Sequence, residues 1–157
     1  MKHSKFFLFV FTAVFMFTSA CKTFEVQNVN YAQQVESVLA PSQNGQIDDS
    51  RYGISFNILP FQYQEMKDSS SVMVNEVRLI RNHSGYYFIT ANGFNNVYVM
   101  EPIDSGLKLK EKINISETGL IRPAFNLRSP FVELVDTETS KTYTLNENGI
   151  KKEEDKS

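Results

Sequence analysis

The residues able to do chemistry are few. The chain of 157 residues holds one cysteine, Cys21, and two histidines, His3 and His83. A lone cysteine closes no internal disulfide and offers no thiol cluster to zinc. His83 stands in Asn82-His83-Ser84-Gly85, a turn by composition. Ser84 is its neighbour, but a nucleophile and its base need a third group that orients the base, and no such set is spelled out. Gly-x-Ser-x-Gly, His-Glu-x-x-His and phosphate-loop patterns do not occur. The carboxylates are scattered, with no recognisable glycosidase pair, and Asp48-Asp49 lacks the spacing of calcium ligands. These residues predict a non-enzymatic domain with no catalytic residues, no metal and no cofactor.

The most ordered charged feature is Lys108, Lys110 and Lys112. At period two they line one face of a strand, opposite Leu107, Leu109 and Ile113. Such lysines protect an edge strand from pairing with another sheet, or they form a basic stripe for an acidic partner or lipid headgroups. Glu111 falls on the apolar side of that alternation, which calls for a buried arginine partner or a bulge. Tyr86 and Tyr87 are adjacent in a strand and so point to opposite faces, leaving at least one for stacking on a ligand or partner. Tyr86, Tyr87, Lys108, Lys110 and Lys112 are therefore the candidate binding surface. The absence of Trp weighs against a sugar as the ligand.

The N-terminus is the most directive segment. Lys2 and Lys5 precede an uncharged stretch from Phe6 to Phe17, then small residues Thr18, Ser19 and Ala20, then Cys21. Charged, apolar and small residues in that order make a secretory signal peptide. The apolar stretch is about 12 residues, short of the roughly 20 that a stable span needs. Thr18-Ser19-Ala20-Cys21 resembles the lipobox of bacterial lipoproteins, with Thr18 where an aliphatic residue is usual; relaxed lipoboxes of this kind resemble those of Bacteroidota. The resemblance covers about the first 22 residues. It implies a diacylglycerol on the Cys21 sulfur, palmitate-type acyl chains and cleavage just before Cys21. Each buried methylene contributes about 0.8 kcal/mol, and a two-chain anchor holds stably where one chain does not. Lys22, in place of an acidic residue, favours the outer membrane over the inner one under the same resemblance.

Cleavage there leaves 137 residues, enough for one domain with a modest core. With Lys2 and Lys5 gone, 14 basic residues face 18 acidic ones, a net charge of −4, so no broad field attracts nucleic acid. Residues 21–50 are polar and read as a lipid-anchored tether. Tyr31, Val35, Val38 and Leu39 within them recur at the spacing of a short helix. Residues 51–146 read as the β domain and 147–157 as a charged tail.

Within the β domain, Tyr52, Ile54, Phe56 and Ile58 alternate with small or polar residues, and Pro60 ends that strand or marks an edge. Further strands are expected at 72–80, 86–90, 94–100, 107–115, 131–135 and 142–145, with Asn92-Gly93 as a hairpin turn. About seven short strands and almost no helix predict an all-β fold, a small antiparallel sandwich or barrel. Propeller blades are a weaker option, because a closed propeller needs more chain.

The sequence thus points to a lipid-anchored envelope lipoprotein whose β domain binds a protein partner as an accessory subunit. The alternatives are a small-ligand or carbohydrate-binding domain using a pocket, enzymatic in one version, and a periplasmic immunity-type inhibitor. The expected partners are the membrane, through Cys21, and an envelope protein. In cells fed a labelled palmitate analogue, the wild-type chain is expected to take up label. Cys21→Ser is expected to take up none and to keep its signal segment; an acylated, cleaved serine variant would remove the anchor assignment.

Overall fold

Five consecutive buried residues, Tyr87 to Ala91, set the architecture. A strand apolar on one face alternates; a strand buried throughout must be covered on both faces. In the computed structural model, which describes residues 35–104 and 106–151, that strand is the centre of a five-stranded sheet. The elements in chain order are β1 Ser37–Leu39, β2 Gln46–Asp49, β3 Ile54–Asn57, α1 Leu59–Met66, β4 Val77–Arg81, β5 Tyr87–Ala91, β6 Asn96–Ile103, β7 Gly106–Asn114, β8 Pro123–Arg128, β9 Phe131–Asp136, β10 Lys141–Asn146 and β11 Gly149–Ile150. The large sheet has the order β1-β4-β5-β6-β7, a second sheet runs β11-β10-β9-β8, and β2 and β3 form a separate hairpin; all pairings are antiparallel.

Two cores follow from the pleat. Phe88, Val97, Val99, Ile80 and Ile113 point to one face, where Phe125, Val132, Leu134 and Leu145 of the four-stranded sheet meet them. Val77, Leu79, Tyr87, Ile89, Ala91, Tyr98 and Met100 point to the other, where Ile47, Ile58 and the half-buried Phe56 and Phe61 cover them. The molecule is an all-β sandwich with an additional cover of hairpin and helix on the outer face of its larger sheet. It closes no barrel.

Several expectations need correction. Residues 37–39 are a strand, not part of a helix, because Ser37, Val38 and Leu39 pair with Leu79, Arg78 and Val77 of β4. That strand and β2 lie in the segment read as a tether, so the folded body extends at least to Val35 at its N-terminal side. Glu36 ties this start to both sheets: Oε2 accepts from Arg78 Nη1 at 3.0 Å and Oε1 from the Phe125 N–H at 2.7 Å. Burial lifts the Glu36 carboxyl above its usual range, although those two donors oppose the shift. Gly149–Ile150 is likewise a short strand rather than tail. The strand expected from Val72 begins only at Val77, and β8 was not foreseen. Signal peptide, Cys21 and the end of the tail lie outside the described residues, among which no helix is long and apolar enough to cross a membrane.

The helix α1 is the largest departure from the strand-only expectation. Pro60 does not break a strand; it occupies the first turn of α1, where its missing N–H loses nothing. Asn57 Oδ1 accepts the Leu59 N–H at 2.8 Å, and Lys67 closes the helix at φ 60° with its N–H bonded to Tyr63 O. Gln62 is fully buried and its amide is used at both ends. Nε2 donates to Asp68 O and Ser71 O, and Oε1 accepts the Met73 N–H, which folds residues 67–74 back on the helix.

Loop geometry depends on close backbone contact at Gly119. Its φ is +87°, and a Cβ there would stand 3.0 Å from the Gly93 carbonyl oxygen. The contact lets Gly93 N–H reach Leu120 O at 2.7 Å and Leu120 N–H reach Phe94 O at 2.8 Å. Asp136, at the end of β9, accepts the N–H groups of Ile121 and Arg122 at 3.1 and 3.0 Å. Burial raises its carboxyl, but these backbone donors outweigh it and hold the group below its usual 3.8.

Leu134 is fully buried between the two sheets. Leu134→Ala is expected to lower unfolding stability by about 2–5 kcal/mol, and Lys108→Ala on the exposed edge by under about 0.5 kcal/mol. Urea unfolding midpoints of the two variants check the contrast; equal shifts would mean the sandwich core is not where the stability resides.

Candidate functional site

The outer cover of the large sheet is incomplete. Between the β2–β3 hairpin and the sheet lies a cleft of about 510 Å³. Its hairpin wall is Ile54, Ser55 and Phe56 with Gly53 at the turn, and α1 adds Phe61. Its floor is Tyr87 and Ile89 of β5 and Met100 of β6, and the β6–β7 hairpin contributes Pro102, Gly106 and Leu107. The local sequence explains the walls. Ile54 and Phe56 share a face of β3 by period two, and Tyr87 and Ile89 share a face of β5. Most of these side chains are apolar. The polar side chains of the lining residues are Tyr87 and Ser55, and the Ser55 hydroxyl donates to Asp48 Oδ1 at 2.6 Å on the face of β3 opposite Ile54 and Phe56.

Register sets Tyr87 and Met100 of the floor in a row whose outer members, Arg81 and Leu109, share the sheet face but are not among the residues lining the cleft. Arg81 pairs with Tyr87, Tyr87 with Met100, and Met100 with Leu109, so the four share one face. At the Arg81 end the guanidinium carbon lies 5.5 Å from the centre of the Tyr87 ring. Tyr52 meets the same ring edge-on with centroids 5.7 Å apart, and its hydroxyl donates to Val35 O at 2.9 Å. Burial, first of all, raises the Tyr52 phenol above its usual range.

A buried carboxylate fixes the other side of the cleft. Glu65, on α1, has a side chain only 1 % exposed. Its Oε2 accepts the Asn95 N–H at 2.7 Å; its Oε1 accepts Asn96 Nδ2 at 2.8 Å and the Tyr98 hydroxyl. Lys112 Nζ stands 3.7 Å from the same oxygen and 5.4 Å from the centre of the Tyr98 ring. Phe61, one turn earlier, meets the Tyr98 ring edge-on at 4.8 Å. Glu65 therefore bolts α1 to β6, and α1 in turn places Phe61 in the cleft wall. Burial, reinforced by the hydrogen bond to Glu65 and its charge, pushes the Tyr98 phenol far above the usual tyrosine range.

The expected binding surface does not assemble as one face. Val99 pairs with Glu111 but Met100 with Leu109, so a bulge at Lys110 shifts the alternation within β7. Glu111 owes its place to that bulge. Lys112 then shares the face of Tyr98 and serves Glu65, while Lys108 pairs with Glu101 on the opposite face. Lys110 lies over the ring of the half-buried Tyr86, 5.4 Å from its centre, on the sandwich side. Tyr87 is 6 % exposed and belongs to the cleft floor. Of the five residues, Tyr86 and Lys110 meet each other, Tyr87 lines the cleft, and Lys108 stays on the exposed edge.

Sequence reasoning missed Phe61 and Met100 of the cleft, and Glu65, which holds α1 in place. Only Pro60, read as the start of a helix, could have pointed to Glu65. His83 and Ser84 are exposed in the β4–β5 turn. Among the described residues no group of three or more His, Cys, Asp or Glu is placed to hold a metal ion. Asp49 Oδ2 and Arg78 Nε are buried without a partner among those residues, and neither residue lines the cleft.

Tyr98→Phe removes a hydrogen bond to a buried charge and is expected to cost about 1.5–3 kcal/mol at neutral pH. The phenol's folded pKa lies above its unfolded value of about 10. Its contribution is thus complete below pH 10 and lost as pH rises beyond it. The stability gap between wild type and Tyr98→Phe should narrow above about pH 10 in urea titrations; a constant gap would show that the phenol does not titrate differently in the two states.

Compared with protein-family models, with curated proteins and with solved structures, the chain finds no match, so the assignment of the cleft rests on its own residues.

Proposed function

We propose that this chain is a lipid-anchored lipoprotein of the bacterial cell envelope, on the outer membrane, whose β-sandwich is a non-enzymatic binding module. Its binding site is the cleft, and its ligand is a small apolar molecule. The cleft is the observation that carries this reading. At about 510 Å³ it falls within the roughly 300–1,000 Å³ of small-molecule sites. Most of its lining side chains are apolar, as in such sites, while polar atoms contribute a substantial share of the exposed wall. The anchor half of the proposal rests on the signal-peptide order of residues and on Cys21.

A protein partner is the second reading, in which the domain is an accessory subunit. Ile103 and Leu109, 46 % and 48 % exposed on the β6–β7 hairpin, favour it, because they extend the apolar rim beyond what a small ligand covers.

A photoreactive dodecanol analogue, applied to the full chain in membrane vesicles, distinguishes the two. Small-ligand binding predicts labelling concentrated on peptides carrying Ile54, Phe56 and Leu107, reduced severalfold by Leu107→Trp. Labelling spread over exposed peptides at random would remove the cleft as a ligand site.

A further inference from the structure

We infer that the β6–β7 ribbon is a bilayer-contacting element, whose apolar tip seats in the interfacial layer of the membrane that holds the chain. This rests on the Cys21 anchor and adds the surface through which the domain meets lipid. Pairing of β5 with β6 ends at Tyr87 and Met100. β6 and β7 stay paired beyond it, through Glu101 and Lys108, Pro102 and Leu107, and Ile103 and Gly106. These last three rungs run past β5 as a two-stranded ribbon. Burial falls along β6 accordingly, from the buried run Asn96 to Met100 to the exposed Pro102 and Ile103. Ile103 lies on one face of the ribbon and Leu109 on the other, both about half exposed.

A bilayer is the occupant because of where the chain leaves the fold. Ser37 pairs with Leu79, which sets Val35, the first described residue, level with Arg81 at the same end of the sheet. The Val35 carbonyl accepts the Tyr52 hydroxyl at 2.9 Å, and the Tyr52 ring meets Tyr87 edge-on. Val35 is 47 % exposed, a third large apolar side chain at this end. Thirteen residues, 22–34, separate it from Cys21, and a chain of that length spans at most about 50 Å. An anchored domain meets the membrane at high effective concentration, so a few apolar side chains suffice where a free protein needs many. Charge here is balanced: Arg51, Arg81, Lys108 and Lys110 are matched by Asp49, Glu101, Asp104 and Glu111. The contact is therefore apolar and needs no anionic lipid, with lysine stems along it and their ammonium groups among the headgroups. Pro102, Gly106 and Leu107 of the ribbon also line the cleft, so an apolar ligand passes between bilayer and cleft along the ribbon.

The test uses the full lipidated chain in phosphatidylcholine vesicles. With Cys21 acylated, Ile103→Cys supplies the one free thiol for an environment-sensitive fluorophore. Ile121→Cys supplies the control, an exposed position beside the Gly93–Leu120 contact at the opposite end of β5. Spin-labelled phosphatidylcholine is expected to quench the probe of Ile103→Cys severalfold more than that of Ile121→Cys. Adding Leu109→Asp to Ile103→Cys is expected to remove most of that difference. Leu109 is half exposed, so its urea midpoint should not move; if it falls, Leu109→Ser takes its place. Phosphatidylglycerol vesicles should give the same contrast. Equal quenching at the two positions, in vesicles that carry the chain through flotation, overturns the ribbon contact, leaves the anchor standing and returns Ile103 and Leu109 to a protein partner. Quenching confined to phosphatidylglycerol overturns the apolar contact in favour of one driven by charge. A chain that does not float with the vesicles overturns the anchor and the ribbon contact with it.

Discussion

A β-sheet whose central strand is apolar on both faces has to be covered twice, and the rest of this molecule follows from that requirement. β5 is buried along its whole length, so its neighbours on either side inherit two inward faces. One face finds a regular solution in the four-stranded sheet, with side chains interdigitating as in other sandwiches. The other face is covered by short pieces, a two-stranded hairpin and an eight-residue helix, which are too small to seal it. The cleft is the space those pieces leave open. Its apolar character is inherited from the sheet face beneath it.

Short covering pieces bury little apolar surface and need another means of attachment. For α1 that means is Glu65. A buried carboxylate is expensive to desolvate, and it is tolerated only where donors satisfy its oxygens. Here a backbone N–H, an amide, a phenol and a lysine converge on it. Such a contact is directional where apolar packing is not, so it sets the position of the helix along β6 as well as its distance from the sheet. Phe61 reaches the cleft because Glu65 is held. At the opposite edge Glu36 does comparable work, joining the chain before β1 to β4 and to the exposed edge of β8.

The strands that were legible in the sequence are those with a clear period or a clear turn. Tyr87–Ala91, Phe131–Asp136 and Lys141–Asn146 lie within a residue or two of their expected positions, because apolar runs and turn residues bound them. β1 and β2 were not legible. They are three and four residues long and sit among polar neighbours, so their strand character comes from pairing with β4 and β3. α1 was hidden for a related reason. Its one buried side chain is Gln62, so it carries no apolar stripe of helical period. The lysine stripe failed through a single extra residue, since a one-residue slip sends every later side chain to the other face.

The sequence by itself determined that the chain is β-rich and antiparallel, because alternation and turn chemistry are local. It also located the one cysteine at the end of a signal-like segment, and a linear motif needs no fold to be read. Only the tertiary structure decided which residues become neighbours. Arg81, Tyr87, Met100 and Leu109 are separated along the chain and joined by register alone. Glu65 and Tyr98 meet because a helix lies across a sheet. Those contacts depend on how far apart in the chain two packed elements lie, which no local pattern encodes.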